Sequence, residues 1–216
     1  MWYAYGRKEV EFMLSWRYPD KPILATPEFF DGIQESEWQC SGKYDGWRLI
    51  VLTDEHRMPH LFSRVGTPIE QTNANVPQEL IDEIAAICAE MPPLSALDSE
   101  FVGPRGDHDP HVFIFDQLAE DGLWLANRQF QSRWEMATRL KGLGGHITLA
   151  ETVTIGFREY FDRLKQIWYA GGCTKMTLHE GIVLKRRTGK LTLNLATNAK
   201  SLHQYKIKYR DILSPV

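Results

Sequence analysis

The chain has 216 residues, 43% of them hydrophobic, and a formal net charge of −3. That is enough apolar chain to bury a substantial core as one domain or two small ones, which excludes a short peptide scaffold. The first residues carry Arg7, Lys8, Glu9 and Glu11 with no apolar run of signal length, and no later stretch reaches the roughly 18 apolar residues of a membrane span, so the expectation is a cytoplasmic protein with no membrane partner.

In chain order, Pro19-Asp20-Lys21-Pro22 reads as a turn before the apolar Ile23-Leu24-Ala25. Residues 49–53 read as a strand that leads away from the run Lys43-Tyr44-Asp45-Gly46-Trp47-Arg48, with residues 60–63 as its partner across a turn at 54–59. Pro77 suits the first turn of a helix whose apolar positions Leu80, Ile81, Ile84, Ile87, Cys88 and Met91 share one face, and Pro92-Pro93 ends it. Strands are expected at 96–102 and 112–115, a helix at 133–140, and a second helix at 157–170 on the stripe Phe157, Tyr160, Phe161, Leu164, Ile167 and Trp168, stopped by Gly171-Gly172. Extended pieces at 181–185 and 191–195 flank a turn at Thr188-Gly189. Strands recur around irregularly spaced helices without regular βαβ alternation, which favours an α+β domain.

Three cysteines, Cys40, Cys88 and Cys173, are odd in number and lack metal-ligand spacing, which suits buried apolar roles in a reducing compartment. The charge is unevenly distributed. Residues 181–216 hold eight basic side chains against the single Asp211, a net +7, and the first 180 residues carry −10, so an anionic ligand has a local surface to meet.

The chemistry concentrates in the run from Lys43 to Arg48, which sets an amine nucleophile, a carboxylate, a glycine and a second cation within six residues. A lysine with a reference pKa of about 10.4 is almost wholly protonated near neutrality, so a nucleophilic role needs its surroundings. Without further context, the run suits a hairpin edge equally well. Further along stand Asp98-Ser99-Glu100, the segment Phe113-Ile114-Phe115-Asp116, the strand Glu180-Gly181-Ile182-Val183-Leu184-Lys185, and Lys206-Ile207-Lys208, whose two lysines share a side because strand side chains repeat with period two.

In this order, together with Ser63-Arg64-Val65-Gly66, Lys21-Pro22-Ile23-Leu24-Ala25 and the segment from Leu125 to Arg133, these runs resemble the motifs of the covalent nucleotidyltransferase superfamily, most closely the ATP-dependent DNA ligases. The resemblance implies an α+β, ATP-grasp-like domain of antiparallel sheets and flanking helices. It implies an enzyme that seals nicked duplex DNA, with ATP as cofactor and Mg²⁺ as metal, for which Mn²⁺ substitutes. Lys43 then attacks the α-phosphate to form a covalent lysyl-AMP intermediate, AMP passes to a 5′-phosphate, and a 3′-hydroxyl displaces it. Asp45, Lys206 and Lys208 join Lys43 as catalytic residues, the two lysines by lowering the pKa of Lys43 and stabilising phosphate charge. Arg48, Arg64, Glu100, Phe115, Glu180 and Lys185 join Lys43, Lys206 and Lys208 in binding the nucleotide: Phe115 against adenine, Arg48 and Arg64 on ribose or nick phosphate, and Lys185 on phosphate. Glu180 and Glu100 are the metal candidates, with ribose as the alternative partner of Glu100. Arg133 either orients a loop or forms an ordinary helix ion pair.

The pattern departs from the family at several places. Ser41 stands where related ligases commonly carry an acidic residue for adenine, Val65 replaces a commoner asparagine, and residues 172–179 lengthen the approach to Glu180. The expected organisation is an amino-terminal extension at 1–21, the adenylation domain at 22–208 and a tail at 209–216, without the oligonucleotide-binding barrel that ligases usually carry, which leaves three alternatives: an excised catalytic domain, a natural minimal ligase, or a separate DNA-clamping domain or subunit. RNA ligation, mRNA guanylylation and an inactive nucleic-acid-binding or regulatory domain are the rival readings.

Overall fold

The structure is a computed structural model that describes residues 17–103, 109–172, 177–194 and 200–212. Strands β1 (Tyr18–Pro19) and β2 (Lys21–Leu24) open it; Pro19 ends the first, and Pro22, which cannot donate to a ladder, is tolerated in the second because β2 is an edge strand. After two 3₁₀ turns come β3 (Trp38–Tyr44), β4 (Trp47–Thr53) and β5 (Pro59–Ser63). Helix α1 (Gln78–Glu90) precedes β6 (Ala96–Val102), β7 (His111–Glu120) and β8 (Leu123–Trp124). Helix α2 (Phe130–Ala137), β9 (Ile147–Leu149), β10 (Thr152–Val153) and helix α3 (Phe157–Ala170) follow, and β11 (His179–Arg186), β12 (Leu193–Asn194) and β13 (Lys200–Lys208) complete the set.

These strands build two main sheets. One has six strands in the order β5-β4-β6-β7-β8 with β9 parallel to β7; the other has five, β10-β3-β11-β13-β2, with β2 parallel to β13. The remaining pair, β1 and β12, is a separate two-stranded ribbon. Each sheet has an apolar outer face, and the six-stranded sheet also buries Ile50, Leu52, Phe62 and Leu118 on its other face against Leu191. Leu49, Val51, Leu97, Phe101, Val112 and Ile114 of the six-stranded sheet pack against Leu80, Ile84 and Ile87 of α1. On the five-stranded sheet, Cys40, Ile182, Leu184 and Ile207 pack against Phe157, Tyr160, Phe161, Leu164 and Trp168 of α3. The order of layers is therefore α1, sheet, sheet, α3, and the two inner faces supply the walls of a cleft. Each buried side chain of this kind contributes about 1.5–3 kcal/mol of burial free energy.

The α+β class with largely antiparallel sheets and flanking helices is present, with two parallel pairings added. The β4–β5 hairpin has the predicted turn, where the Asp54 carboxylate accepts the backbone N–H groups of His56 and Met58 at 2.8 and 2.7 Å. Strand β6 and helix α3 match their predicted bounds, and Cys40 and Cys88 are buried free thiols, whereas Cys173 lies outside the described residues.

Other expectations need correction. The Lys43 run is not the edge of a hairpin: Lys43 lies in β3, and β3 and β4 belong to different sheets. Pro77 occupies the position before α1 rather than its first turn. The helix expected at 133–140 starts at Phe130 and ends at Ala137, because its buried face is Phe130, Arg133 and Ala137, and a buried arginine reads as polar in a hydrophobic pattern. Ile167 is 57% exposed, since it falls at the margin of the α3 stripe while Trp168 takes the buried position. Of the extended piece at 191–195, only Leu193–Asn194 pairs as strand, and residue 195 is outside the described set.

Candidate active site

A cleft of about 500 Å³ separates the two sheets. Its five-stranded wall follows directly from register. Lys43 of β3 pairs with Gly181 of β11, which pairs with Lys208 of β13; one step along, Ser41 pairs with Val183 and Val183 with Lys206. A further step brings Lys185 opposite Gln204. Side chains two apart on a strand share a face, so β3, β11 and β13 present this array together on the side away from α3.

Glu180 joins the array through an irregularity. Strict alternation would send it to the α3 side with Ile182 and Leu184. A bulge between His179 and Gly181 inserts one extra residue, and the carboxylate comes round to Lys43 and Lys208. Lys43 Nζ forms an ion pair with Glu180 Oε1, Lys208 Nζ donates to Glu180 Oε2 at 2.9 Å, and Arg210 approaches the same oxygen at 3.9 Å. Burial acts to raise the Glu180 pKa, but Lys43 and Lys208 outweigh it and hold the group below the usual carboxylate value. Gly181 is required by close approach: a Cβ there would lie 2.1 Å from the Ile207 carbonyl oxygen. Burial, followed by the charges of Lys208 and Lys43, lowers the Lys206 pKa.

The opposite wall comes from β4, β6 and β7. Arg48 and Glu100 are paired across β4 and β6. Arg48 is held by both oxygens of Asp98, with Nε donating to Oδ1 at 2.7 Å and Nη2 to Oδ2, the planar two-pronged geometry that arginine favours. Burial works against the Arg48 charge, but Asp98, Glu100 and Asp116 outweigh it and raise its pKa. Glu100 accepts the Gly46 N–H at 3.2 Å, and burial pushes its carboxyl up to about 7 despite Lys43 and Arg48 nearby. Gly46 cannot carry a side chain, because a Cβ would meet the Phe101 carbonyl oxygen at 2.3 Å.

Behind the wall, Lys185 Nζ donates to the Phe115 carbonyl at 3.0 Å, sits 3.5 Å from Asp116 Oδ2 and lies 5.0 Å from the Phe115 ring centroid. Burial is the main reason its pKa is lowered, against the opposing pull of Asp116 and Asp98. Arg133, only 1% exposed, donates from Nε and Nη2 to the two Asp116 oxygens, both at 2.9 Å, and from Nη1 to the Arg128 carbonyl at 2.7 Å. It thus orients the segment before α2 and does not form a pair along its own helix.

Of the residues singled out by sequence, Lys43, Arg48, Arg64, Glu100, Phe115, Lys185 and Lys206 line the cleft. Glu180 and Lys208 reach it through Lys43. Asp45 does not: it follows β3, where its N–H donates to the Leu178 carbonyl at 3.1 Å, and it lines a separate cavity of about 160 Å³ with Asn73 and Asn75. Lys21 of β2 and Gln204 of β13 line the main cleft and were missed. Gln204 was within reach of the reasoning, because it continues the period-two series of Lys206 and Lys208. Among the described residues, no group of three or more His, Cys, Asp or Glu side chains is arranged to hold a metal ion, and residues 173–176 of the lengthened approach to Glu180 lie outside the described set. No described helix is long and apolar enough to cross a membrane.

No protein-family model matches the chain. It is 26% identical over 179 residues to the multifunctional non-homologous end joining protein LigD of Mycobacterium bovis, a match covering 78% of this chain and 22% of that protein. The corresponding DNA repair protein LigD of Mycobacterium tuberculosis matches to the same extent, so the chain spans about a fifth of the length of these relatives. Among solved structures, mycobacterial DNA ligase D complexed with ATP and MES superposes with a TM-score of 0.62 at 23% identity, covering 89% of this chain and 60% of that one. The ATP-dependent DNA ligase of bacteriophage T7, in complex with ATP, gives a TM-score of 0.56 at 13% identity over 88% of this chain and 68% of the other. At these identities, the structural comparisons show that the two-sheet fold around the cleft is one this chain shares with DNA ligases.

Proposed function

We propose that the chain is the nucleotidyl-transferring part of an ATP-dependent DNA ligase, with the two facing sheets as its ATP-grasp-like nucleotide site. The observation that carries this reading is the position of Lys43: an amine on the cleft face of β3, in one register row with Lys208 and one step from Lys206. The sequence similarity to LigD and the fold shared with DNA ligases support it.

In this reading, Lys43 Nζ, after giving up its ammonium proton to solvent, attacks the α-phosphorus, the Nζ–phosphorus bond forms as the α–β phosphoanhydride bond breaks, pyrophosphate leaves with the electron pair, and a second amine proton passes to solvent. Lys206 and Lys208 stabilise the charge that gathers on the phosphates. Glu180 holds Nζ at the end of β3 until the nucleotide arrives, and Phe115 forms the stacking wall for the base. Mg²⁺, or Mn²⁺ in its place, is the hard cation implied. It is bound elsewhere by one or two carboxylates together with substrate phosphates, which fits a site offering Glu180 and Glu100. When bound, it neutralises phosphate charge. Glu100 is better matched to a ribose hydroxyl, because a buried carboxyl with a pKa near 7 both donates and accepts. Arg48 is committed to Asp98, so Arg64, exposed at the rim, is the better candidate for a phosphate of the nicked strand.

The test is incubation with ATP labelled at the α-phosphate, followed by denaturing electrophoresis and a chase onto nicked DNA and, separately, nicked RNA. Wild type is expected to carry label and Lys43→Ala at least a thousandfold less; normal labelling of that variant would sink the nucleophile. Transfer to DNA ends in preference to RNA is expected, and the reverse would make the chain an RNA ligase.

A further inference from the structure

The mouth of the cleft carries a pair of cations that the proposed step at Lys43 does not use. Lys21 belongs to β2, the edge strand of one sheet, and Arg64 follows β5, the edge strand of the other; both line the cleft. Beside Arg64 the described rim residues are neutral: Ser63, Val65, Thr67 and Thr72. Arg64 is exposed and Lys21 half-buried, so the pair stands at the opening and not on the floor.

Register sets this pair apart from the groups around Lys43. Leu24 of β2 is level with Lys206, and Lys21 lies three residues back along the strand, on the side of Lys206 away from Lys208. At about 3.3 Å per strand residue, that is a separation of about 10 Å. A triphosphate attacked by Lys43 has Lys206 and Lys208 as its own cations, and Lys21 is not one of them.

The two rims feel each other's charge. Burial, then the charges of Arg64 and Arg48, lower the Lys21 pKa, and Lys21 in turn contributes to lowering that of Lys206. Arg48 has Asp98 as its counter-ion, whereas Arg64 forms no ion pair with another described residue. Like charges brought together from opposite walls repel, and an anion placed between them outweighs that repulsion with two attractions. Phosphate suits both partners, since a guanidinium offers it a planar fork and an ammonium a point charge. At an open rim, apart from the nucleotide's own phosphates, the phosphate that fits is a diester of a polymer lying across the mouth.

We infer that Lys21 and Arg64 share one backbone phosphate of the receiving DNA strand and so hold that strand across both sheets. The inference rests on the proposed ligase reading and adds to it a strand-positioning residue, Lys21, and a contact that spans the two walls.

The experiment measures binding of the full chain to nicked duplex DNA without ATP, using duplexes in which one phosphate near the nick at a time is replaced by an uncharged methylphosphonate. One replacement should weaken wild type by about tenfold, the worth of a charge-assisted contact. The same replacement should matter much less in both Lys21→Ala and Arg64→Ala, and Lys21→Arg should restore the sensitivity. Loss of sensitivity at two different phosphates in the two variants would put the cations on separate contacts and overturn the shared seat. Unchanged sensitivity in Lys21→Ala would remove Lys21 from the strand. KM for ATP in self-labelling separates the two sources of phosphate: a rise in Lys21→Ala as large as its loss of DNA affinity would assign the cation to the nucleotide and overturn the inference. Because binding is read without ATP, a chain that binds the duplex in this pattern but never labels at Lys43 would uphold the seat and defeat the nucleophile. Absence of duplex binding by wild type would defeat the seat and the ligase reading together.

Discussion

Glu100 shows what burial does to a single carboxyl. Its pKa of about 7 lies above the ordinary 4.5 because the charged form has been taken out of water, and Lys43 and Arg48 only partly compensate. Between these two values the folded chain binds more protons than the unfolded one, so stability falls as pH rises through the window, and the full penalty is present above about 7. Glu100→Gln removes that penalty. The variant should therefore gain on wild type from about pH 5 to pH 8, at up to about 1.4 kcal/mol per pH unit, in urea denaturation. An equal difference at both ends of the range would show that the carboxyl is solvated. The motif resemblance marked Glu100 as a site residue, but it left open whether ribose or metal was the partner, because that choice depends on how much water the carboxyl retains. Lys43 was singled out by the ordered set of later motifs and not by its own six-residue run, and the structure places it on the cleft face of β3. Glu180 was named too, although its arrival beside Lys43 depends on a one-residue bulge that no alternation pattern announces.

Helix α2 is fixed to the six-stranded sheet by polar contacts as well as by its apolar face. Arg133 projects from its buried side into β7, where Asp116 receives it with both oxygens while also facing Lys185 from β11. Three elements from two sheets and a helix thus meet at one carboxylate. Removing a partner from a buried pair costs about 3–5 kcal/mol, because the remaining charge stays buried. Arg133→Met should lose about that much in urea denaturation, and a loss below about 1 kcal/mol would mean that water reaches Asp116 and replaces the pair. The same interaction explains the displaced helix boundary in the sequence reading: hydrophobic periodicity treats an arginine as a solvent-facing residue, and here it is among the most deeply buried side chains. Helix α3 was read with the correct bounds because aromatic and aliphatic residues alone define its inner face, with Gly171 and Gly172 at its end.

The whole molecule has a weak negative charge and a cleft with a basic excess. Among the described residues, Lys21, Lys43, Arg48, Arg64, Lys185 and Lys206 line the cleft with Glu100, and Glu180, Asp98 and Asp116 pair with Lys43, Arg48 and Lys185 there. Low-dielectric walls concentrate such a field and draw in anions that the net charge of −3 would not. Of the eight basic side chains of residues 181–216, β11 and β13 place Lys185, Lys206 and Lys208 on the inner sheet, while Arg186, Lys190, Lys200 and Arg210 are exposed, a division that needed knowledge of strand pairing. Binding of a nicked duplex should weaken steeply with salt, and Arg64→Ala should reduce the slope of log affinity against log salt by about 0.9, one phosphate's worth. An unchanged slope would remove Arg64 from the strand path. The crossing from β3 to β4 has one more effect, on motion. The chain passes from one sheet to the other through Asp45 and Gly46, so Lys43 lies near any axis about which the two walls part. Points near an axis travel least, so in the proposed lysyl-nucleotide reading the mouth of the cleft widens while Lys43 keeps its aim.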